Sequence, residues 1–502
     1  MTDDYETGRP VLGLCTHVHY RAWLNAGWLS VDVPAQARGE KFFTDTLAKK
    51  IYLLPKGFYA LLPLYFFCLI AVVVSLVFFA CDDSVNGAEG CDKELSDDVV
   101  KSSSGSNKGK NSSSSSSVKK DLSLDDSEYP YAGIPRIVIE TENRKKIKNC
   151  ETEIPAKLQI WGKSAPESEI LDLTIRGRGN SSWTEMPKKS YKIEFLKKQA
   201  LLGMPKDKDW ALIANYADKT LLKNYITYKL SSWLKADYSP RCQFVELYLN
   251  QEYLGVYLVV ETLKVNKNRI NYIDETNFLA EFDVHYKAKD VVIFLKDEDK
   301  PVAVHSPKLP NDSTLSVLKN HLDSLNELIM SKSFSKDTLK KWIDFQSYFL
   351  FYWVQEFCEN RDGNFDTSVF FTWVPGCPVK MGPLWDFDLA YDGHPNVLTQ
   401  DPKAWFIRNY YWNTALFKKD FFKKEANSYW SDHRQSFVQI IDSIEVYRNK
   451  LKRPAKNNFK RWPILKDTGS RYLTRSYSSY QAAVDSLEKW IKRRYKWIDS
   501  QN

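Results

Sequence analysis

The residues best suited to chemistry are carboxylates near position 370. Asn360-Arg361-Asp362 is followed, 24 and 26 positions after Asp362, by Asp386 and Asp388 in the run Leu384-Trp385-Asp386-Phe387-Asp388. With Asp392, the second group holds three acids in seven residues, separated by apolar side chains. In an extended segment, alternation places Asp386 and Asp388 on one face. Carboxylates crowded beside aromatics need a cation or protons to relieve their repulsion. Oxygen donors of this kind suit Mg²⁺, Mn²⁺ or Ca²⁺. Helix caps and Asx-turns are the competing reading of the same acids.

These residues need a scaffold, and the pattern predicts one over residues 129–500. Its first half reads as strand-rich: residues 137–140, 171–175, 190–195, 244–249 and 253–260 alternate or run apolar. The last two segments form a hairpin signal around Asn250-Gln251-Glu252. A helix opens near residue 218, with Asp218 as a candidate N-cap. The second half reads as mostly helical, with apolar residues at helical spacing over 313–330, 335–358 and 480–498. The last of these carries Lys489, Lys492, Arg493, Arg494 and Lys496 on what reads as a solvated face.

Outside that domain the chain changes character. Residues 57–80 form an uncharged run of 24, preceded by Lys41, Lys49, Lys50 and Lys56 and followed by Asp82, Asp83, Glu89, Asp92 and Glu94. The length suffices to cross a hydrocarbon core, and the charge asymmetry predicts that everything after it is exported. Phe79-Ala80-Cys81 is similar to a bacterial lipoprotein processing site, which makes Cys81 a lipidation candidate; an uncleaved anchor is the alternative. The expected location is the bacterial cell envelope, with the folded domain outside the cytoplasm. Residues 1–56 read as an N-terminal tail, and the Ser-rich residues 82–128 as a disordered tether with too little apolar surface to fold.

Composition closes some classes. A net charge of +8 on a chain with 27% charged residues does not point to nucleic acid. No CxxC pair occurs among the eight cysteines, so a zinc or thioredoxin-type site has little support. Cys150–Cys242 and Cys358–Cys377 disulfides are open, as are isolated buried thiols.

Several blocks in fixed order then become specific. Arg176-Gly177-Arg178-Gly179-Asn180-Ser181-Ser182-Trp183, Pro187-Lys188-Lys189-Ser190-Tyr191-Lys192, the stretch 210–219 and the stretch 246–257 precede the two acidic groups. Together they resemble the CotH (spore-coat protein H) kinase family. The resemblance implies an α+β, atypical protein-kinase-like two-lobed domain, with a strand-rich N-lobe and a helical C-lobe, using ATP with Mg or Mn. It implies Asp362 as the catalytic-loop aspartate, and Asp386 and Asp388 as metal ligands. A phosphate-binding lysine is then required, with Lys189 and Lys192 as candidates on opposite faces of one strand. Arg178 and Asn180 would shape the nucleotide mouth, Asp218 and Lys223 would supply ion pairs near the phosphates, and Glu261 would lie near the hinge or pair with Arg269. The chain departs from ordinary kinases: it has no GxGxxG, HRD or DFG, and Thr367-Ser368 stand where an Asn ligand would be sought, with Asn364 close but early. The implied activity is phosphorylation of Ser/Thr on itself or on a surface protein. A catalytically silent scaffold of a surface layer is the alternative, and a glycosidase-like acid pair a third reading.

Overall fold

The computed structural model describes residues 17–24, 27–34, 120–271, 277–296, 300–392 and 401–502. The chain divides into two units, Met1–Ser113 and Ser114–Asn502. In the first, β1 (His17–Leu24) and β2 (Gly27–Pro34) pair as an antiparallel hairpin. The apolar run 57–80, Cys81 and the Ser-rich stretch up to residue 119 lie outside the described residues. Among the described residues no helix is long and apolar enough to cross a membrane.

The second unit starts earlier than position 129. The main-chain N–H of Leu122 donates to Gln159 Oε1 at 2.9 Å, and Leu122 packs with Val138, Tyr248 and Tyr253. The last residues assigned to the tether are therefore part of the domain.

The strand-rich half closes on itself. Strands β3 (Arg136–Thr141), β4 (Ile154–Trp161), β5 (Leu171–Arg178), β6 (Ser190–Leu201), β7 (Met204–Ile213), β8 (Cys242–Leu249) and β9 (Glu252–Glu261) form a closed barrel in the order β3-β4-β5-β6-β7-β9-β8. All its pairings are antiparallel except the closing one, β3 with β8, where Arg136 faces Glu246. Alternation fills the inside with Ile137, Ile139, Leu158, Ile175, Ile193, Phe195, Trp210, Leu212, Leu247 and Val259. The β8–β9 turn works without the favoured Asn-Gly: Asn250 and Gln251 both take positive φ (51° and 72°), as a type I′ turn requires. Asn250 is held there by Thr141, whose N–H and hydroxyl both donate to its Oδ1.

The second half carries the expected helices, but it is not helical throughout. It contains a five-stranded antiparallel sheet, β11-β12-β10-β13-β14, made from β10 (Phe278–Phe282), β11 (Val291–Phe294), β12 (Pro301–Ser306), β13 (Val369–Trp373) and β14 (Lys380–Leu384). Its strands are only four to six residues long, and β10 and β13 are buried along their whole length, so they lack the alternation that reveals a half-exposed strand.

The helices are α1 (Ser181–Thr184), α2 (Lys223–Trp233), α3 (Asp312–Met330), α4 (Lys336–Lys340), α5 (Phe345–Phe357), α6 (Tyr411–Leu416), α7 (Asp420–Arg461) and α8 (Tyr480–Gln501). The expected helix over 335–358 is broken into α4 and α5, because the Asp344 carboxylate caps α5 by accepting the N–H of Ser347 at 2.8 Å. Asp218 does not cap α2 in the usual way: it accepts the N–H groups of Thr220 and Lys223, and Leu222 occupies the cap position. A single large core joins the outer face of β8 and β9 to α2, α5, α7, α8 and the five-stranded sheet. The four described cysteines are unpaired, three of them buried, so neither disulfide forms.

Candidate active site

Asp362 is delivered by the end of α5. The chain leaves the helix through Cys358, turns at Glu359 (φ 46°) and reaches a short 3₁₀ turn, Arg361–Gly363, that presents Asp362. Asp386 and Asp388 follow β14. Phe387 between them is fully buried, which turns both carboxylates away from the core and into the same cleft. Asp386 takes φ 61°, an uncommon conformation for a residue with a side chain. Two amides hold it: Asn360 Nδ2 donates to the Asp386 carbonyl at 3.1 Å, and the N–H of Phe387 donates to Asn224 Oδ1 at 2.8 Å.

The cleft has a volume of about 1070 Å³. Asp362, Asp386, Asp388 and Trp385 line it, together with Arg178 at the end of β5 and Asn180 and Trp183 from the β5–β6 connection. The loop there needs Gly179, whose φ is +100°, and Gly177, where a Cβ would come within 2.6 Å of the Trp183 ring.

The electrostatics are those of too many carboxylates for the cations present. Burial, and then the charge of Asp386, push the Asp362 carboxyl up to about 7, against the pull of Arg361. Burial also raises Asp386, opposed by the Arg178 guanidinium. Asp388 is raised most strongly, by burial and by the charges of Asp386 and Asp362, with Lys223 opposing. Among the described residues no group of three or more His, Cys, Asp or Glu side chains forms a ready cage for a metal. A pair of carboxylates still suits Mg²⁺, which is commonly held by one or two of them together with substrate phosphates and water.

The other expected site residues divide. Arg178 and Asn180 line the cleft, and the Arg178 guanidinium lies 5.3 Å from the Trp385 ring centroid. Lys223 and Asp218 border a small adjoining cavity; Lys223 Nζ is 3.9 Å from Asp392 and its charge reaches Asp388. Lys189 and Lys192 are not among the cleft-lining residues. Lys189 braces Trp183 by donating to its carbonyl, and Lys192 is paired with Asp209 at 2.7 Å and Glu194 at 3.1 Å. Glu261 is buried away from the cleft, accepting from Tyr238 Oη (3.1 Å) and Arg241 Nε (2.8 Å); Arg269, its expected partner, sits beside Asp207 instead. Asn364 is occupied locally, bonded through both side-chain atoms to Asp366.

Sequence reasoning missed or misplaced four residues. Glu281 lines the cleft, bonded to His305 Nε2 at 2.7 Å and to the N–H of Ser368 at 3.0 Å. A lone acid in the apolar strand Phe-Leu-Ala-Glu-Phe was its visible signal. Arg494, expected on a solvated face, is instead fully buried, because two buried carboxylates pair with it: it is bonded to Glu356 and lies 2.9 Å from Glu359; its place on the apolar stripe of α8 was the clue. Arg471 and Tyr472, which line the cleft from the α7–α8 connection, had none.

A protein-family model described as CotH kinase protein matches residues 175–498. No curated protein matches the chain.

Proposed function

From a chain that belongs to the CotH kinase family, we propose an ATP-dependent phosphotransferase that modifies Ser or Thr hydroxyls on itself or on surface proteins. The observation that carries this reading is the convergence of Asp362, Asp386 and Asp388 on one cleft that Arg178 also lines. Carboxylates gathered in a cleft against their mutual repulsion mark a candidate functional site.

In this reading Asp386 and Asp388 hold a divalent ion, Mg²⁺ or Mn²⁺, which when bound neutralises charge on the nucleotide phosphates. Arg178 adds a fixed guanidinium beside Asp386, and Lys223 a buried ammonium near Asp388. Asp362 orients the acceptor hydroxyl and takes its proton. Trp183 and Trp385 supply apolar walls that limit water. The barrel serves as the small, strand-rich lobe, and the five-stranded sheet with its helices as the larger one. We place the domain outside the cytoplasm, tethered by residues 57–80 or by lipid on Cys81.

The test is phosphate incorporation by the full-length protein with ATP and Mg²⁺ or Mn²⁺, beside Asp362→Ala and Asp386→Ala. Metal-dependent incorporation lost in both variants supports the assignment. Nucleotide binding without incorporation supports the silent scaffold instead.

A further inference from the structure

Residues 463–479 link α7 to α8 and form a strap along the cleft. The strap is pinned in several places. Lys219 donates to the carbonyls of Leu465, Asp467 and Arg475. Arg475 Nε lies 3.5 Å from Asp392, and Leu473 is buried. The N–H of Tyr477 returns to the carbonyl of Leu465 at 2.9 Å. This anchoring fixes where Arg471 and Tyr472 sit, and both line the cleft.

Their partner is Glu185, directly after α1 and also on the cleft wall. Arg471 pairs with its Oε1, and Tyr472 Oη is 3.3 Å from the same oxygen. The Arg471 guanidinium stacks 4.8 Å from the Tyr472 ring centroid. The pair is open to solvent, with side chains 62% and 42% exposed. An exposed ion pair of this kind is weak and easily exchanged. A guanidinium meeting a phosphate makes a stronger, forked contact.

We propose that Arg471, with Tyr472 beside it, contacts the phosphates of the bound nucleotide, and that Glu185 occupies Arg471 only while the cleft is empty. Binding then exchanges one anion for another on a pre-positioned guanidinium of the cleft lining. This inference rests on the nucleotide reading of the cleft.

Equilibrium binding of labelled ATP with Mg²⁺ to the full-length protein tests it, using Arg471→Ala, Arg471→Lys, Glu185→Gln and the double variant Glu185→Gln/Arg471→Ala. Loss of a charge-assisted contact predicts about 10- to 100-fold weaker binding for Arg471→Ala. Arg471→Lys should fall between it and the wild type. Removing the competing carboxylate predicts up to about 5-fold tighter binding for Glu185→Gln. The double variant should bind as weakly as Arg471→Ala. If the double variant regains wild-type affinity, Arg471 merely masks Glu185 and the inference fails. It fails equally if Glu185→Gln and Arg471→Ala weaken binding alike, the mark of a structural clasp, or if Arg471→Ala changes nothing. Wild-type protein that binds no ATP removes the nucleotide reading as well; wild-type binding that Arg471→Ala leaves intact removes this inference alone.

Discussion

The carboxamide of Asn360 donates to the main-chain carbonyl of Asp386 at 3.1 Å, tying the loop that carries Asp362 to the one that carries Asp386 and Asp388. Asn360 is fully buried, and its own Oδ1 has no partner among the described residues. Asn360→Ala removes the tie without touching a carboxylate. Phosphate incorporation should fall about 10- to 100-fold, the usual effect of misplacing reacting groups by an ångström, while ATP affinity changes far less. Equal losses in both would show that Asn360 acts on ligand binding.

Asp388 is held against its own charge. Its folded-state pKa is raised, so the cost of burying it grows as pH rises above the ordinary carboxylate range. Asp388→Asn should therefore melt higher than wild type at pH 7.5 in EDTA, by about 1–3 °C, with the gain shrinking toward pH 4. Saturating Mg²⁺ should reverse the order, because only the wild type gains from binding the ion. Thermal scans with and without chelator decide it; a variant less stable under both conditions would contradict the account.

Glu356, Glu359 and Arg494 form a buried triad in which one guanidinium meets two carboxylates. Burial, assisted by the charge of Glu356, lifts Glu359 to about 9 although Arg494 is only 2.9 Å away. Between the unfolded value and about 9 the folded protein keeps a proton that the unfolded chain has lost, so rising pH works against folding across that window. Glu359→Gln removes this dependence. Its stability relative to wild type should climb from pH 5 to pH 9, by at most about 1.4 kcal/mol per pH unit. Parallel stability curves would mean that Glu359 is ionised in the fold.

Lys188 is a buried amine with no carboxylate partner among the described residues. It donates to the Val256 carbonyl (2.5 Å) and to Asn458 Oδ1 (2.9 Å), and its Nζ lies 4.6 Å from the Tyr257 ring centroid, bolting α7 to β9. Lys188→Met keeps the volume but leaves acceptors unpaired, a loss of about 1–3 kcal/mol. Lys188→Ala adds a cavity and should cost more. Chemical denaturation of both variants checks the order.

Local features were the legible ones. The grouping of Asp362, Asp386 and Asp388 could be read because a buried Phe387 separates the last two in a short motif. Strand alternation assigned Lys189 and Lys192 to opposite faces, but it cannot say how far along a face a cleft reaches: Ser190, on the Lys192 side, lines it and neither lysine does. Glu261 was offered Arg269, eight positions away, whereas its actual partner Arg241 arrives through the β8–β9 pairing. The 42-residue α7 went unread because its polar residues and internal Pro454 hide a narrow apolar stripe.

The parallel contact of β3 with β8 means that the ring of strands shuts only when residues 136–139 reach residues 246–249. The matched family stretch begins at residue 175, inside β5, so β3 and β4 lie before it. A fragment cut at that boundary would leave β5 and β8 each with a raw row of unmatched amides and carbonyls, inviting strand addition from another chain. The smallest piece able to stay soluble should therefore reach back to about residue 120, where Asp121 and Leu122 meet Gln159.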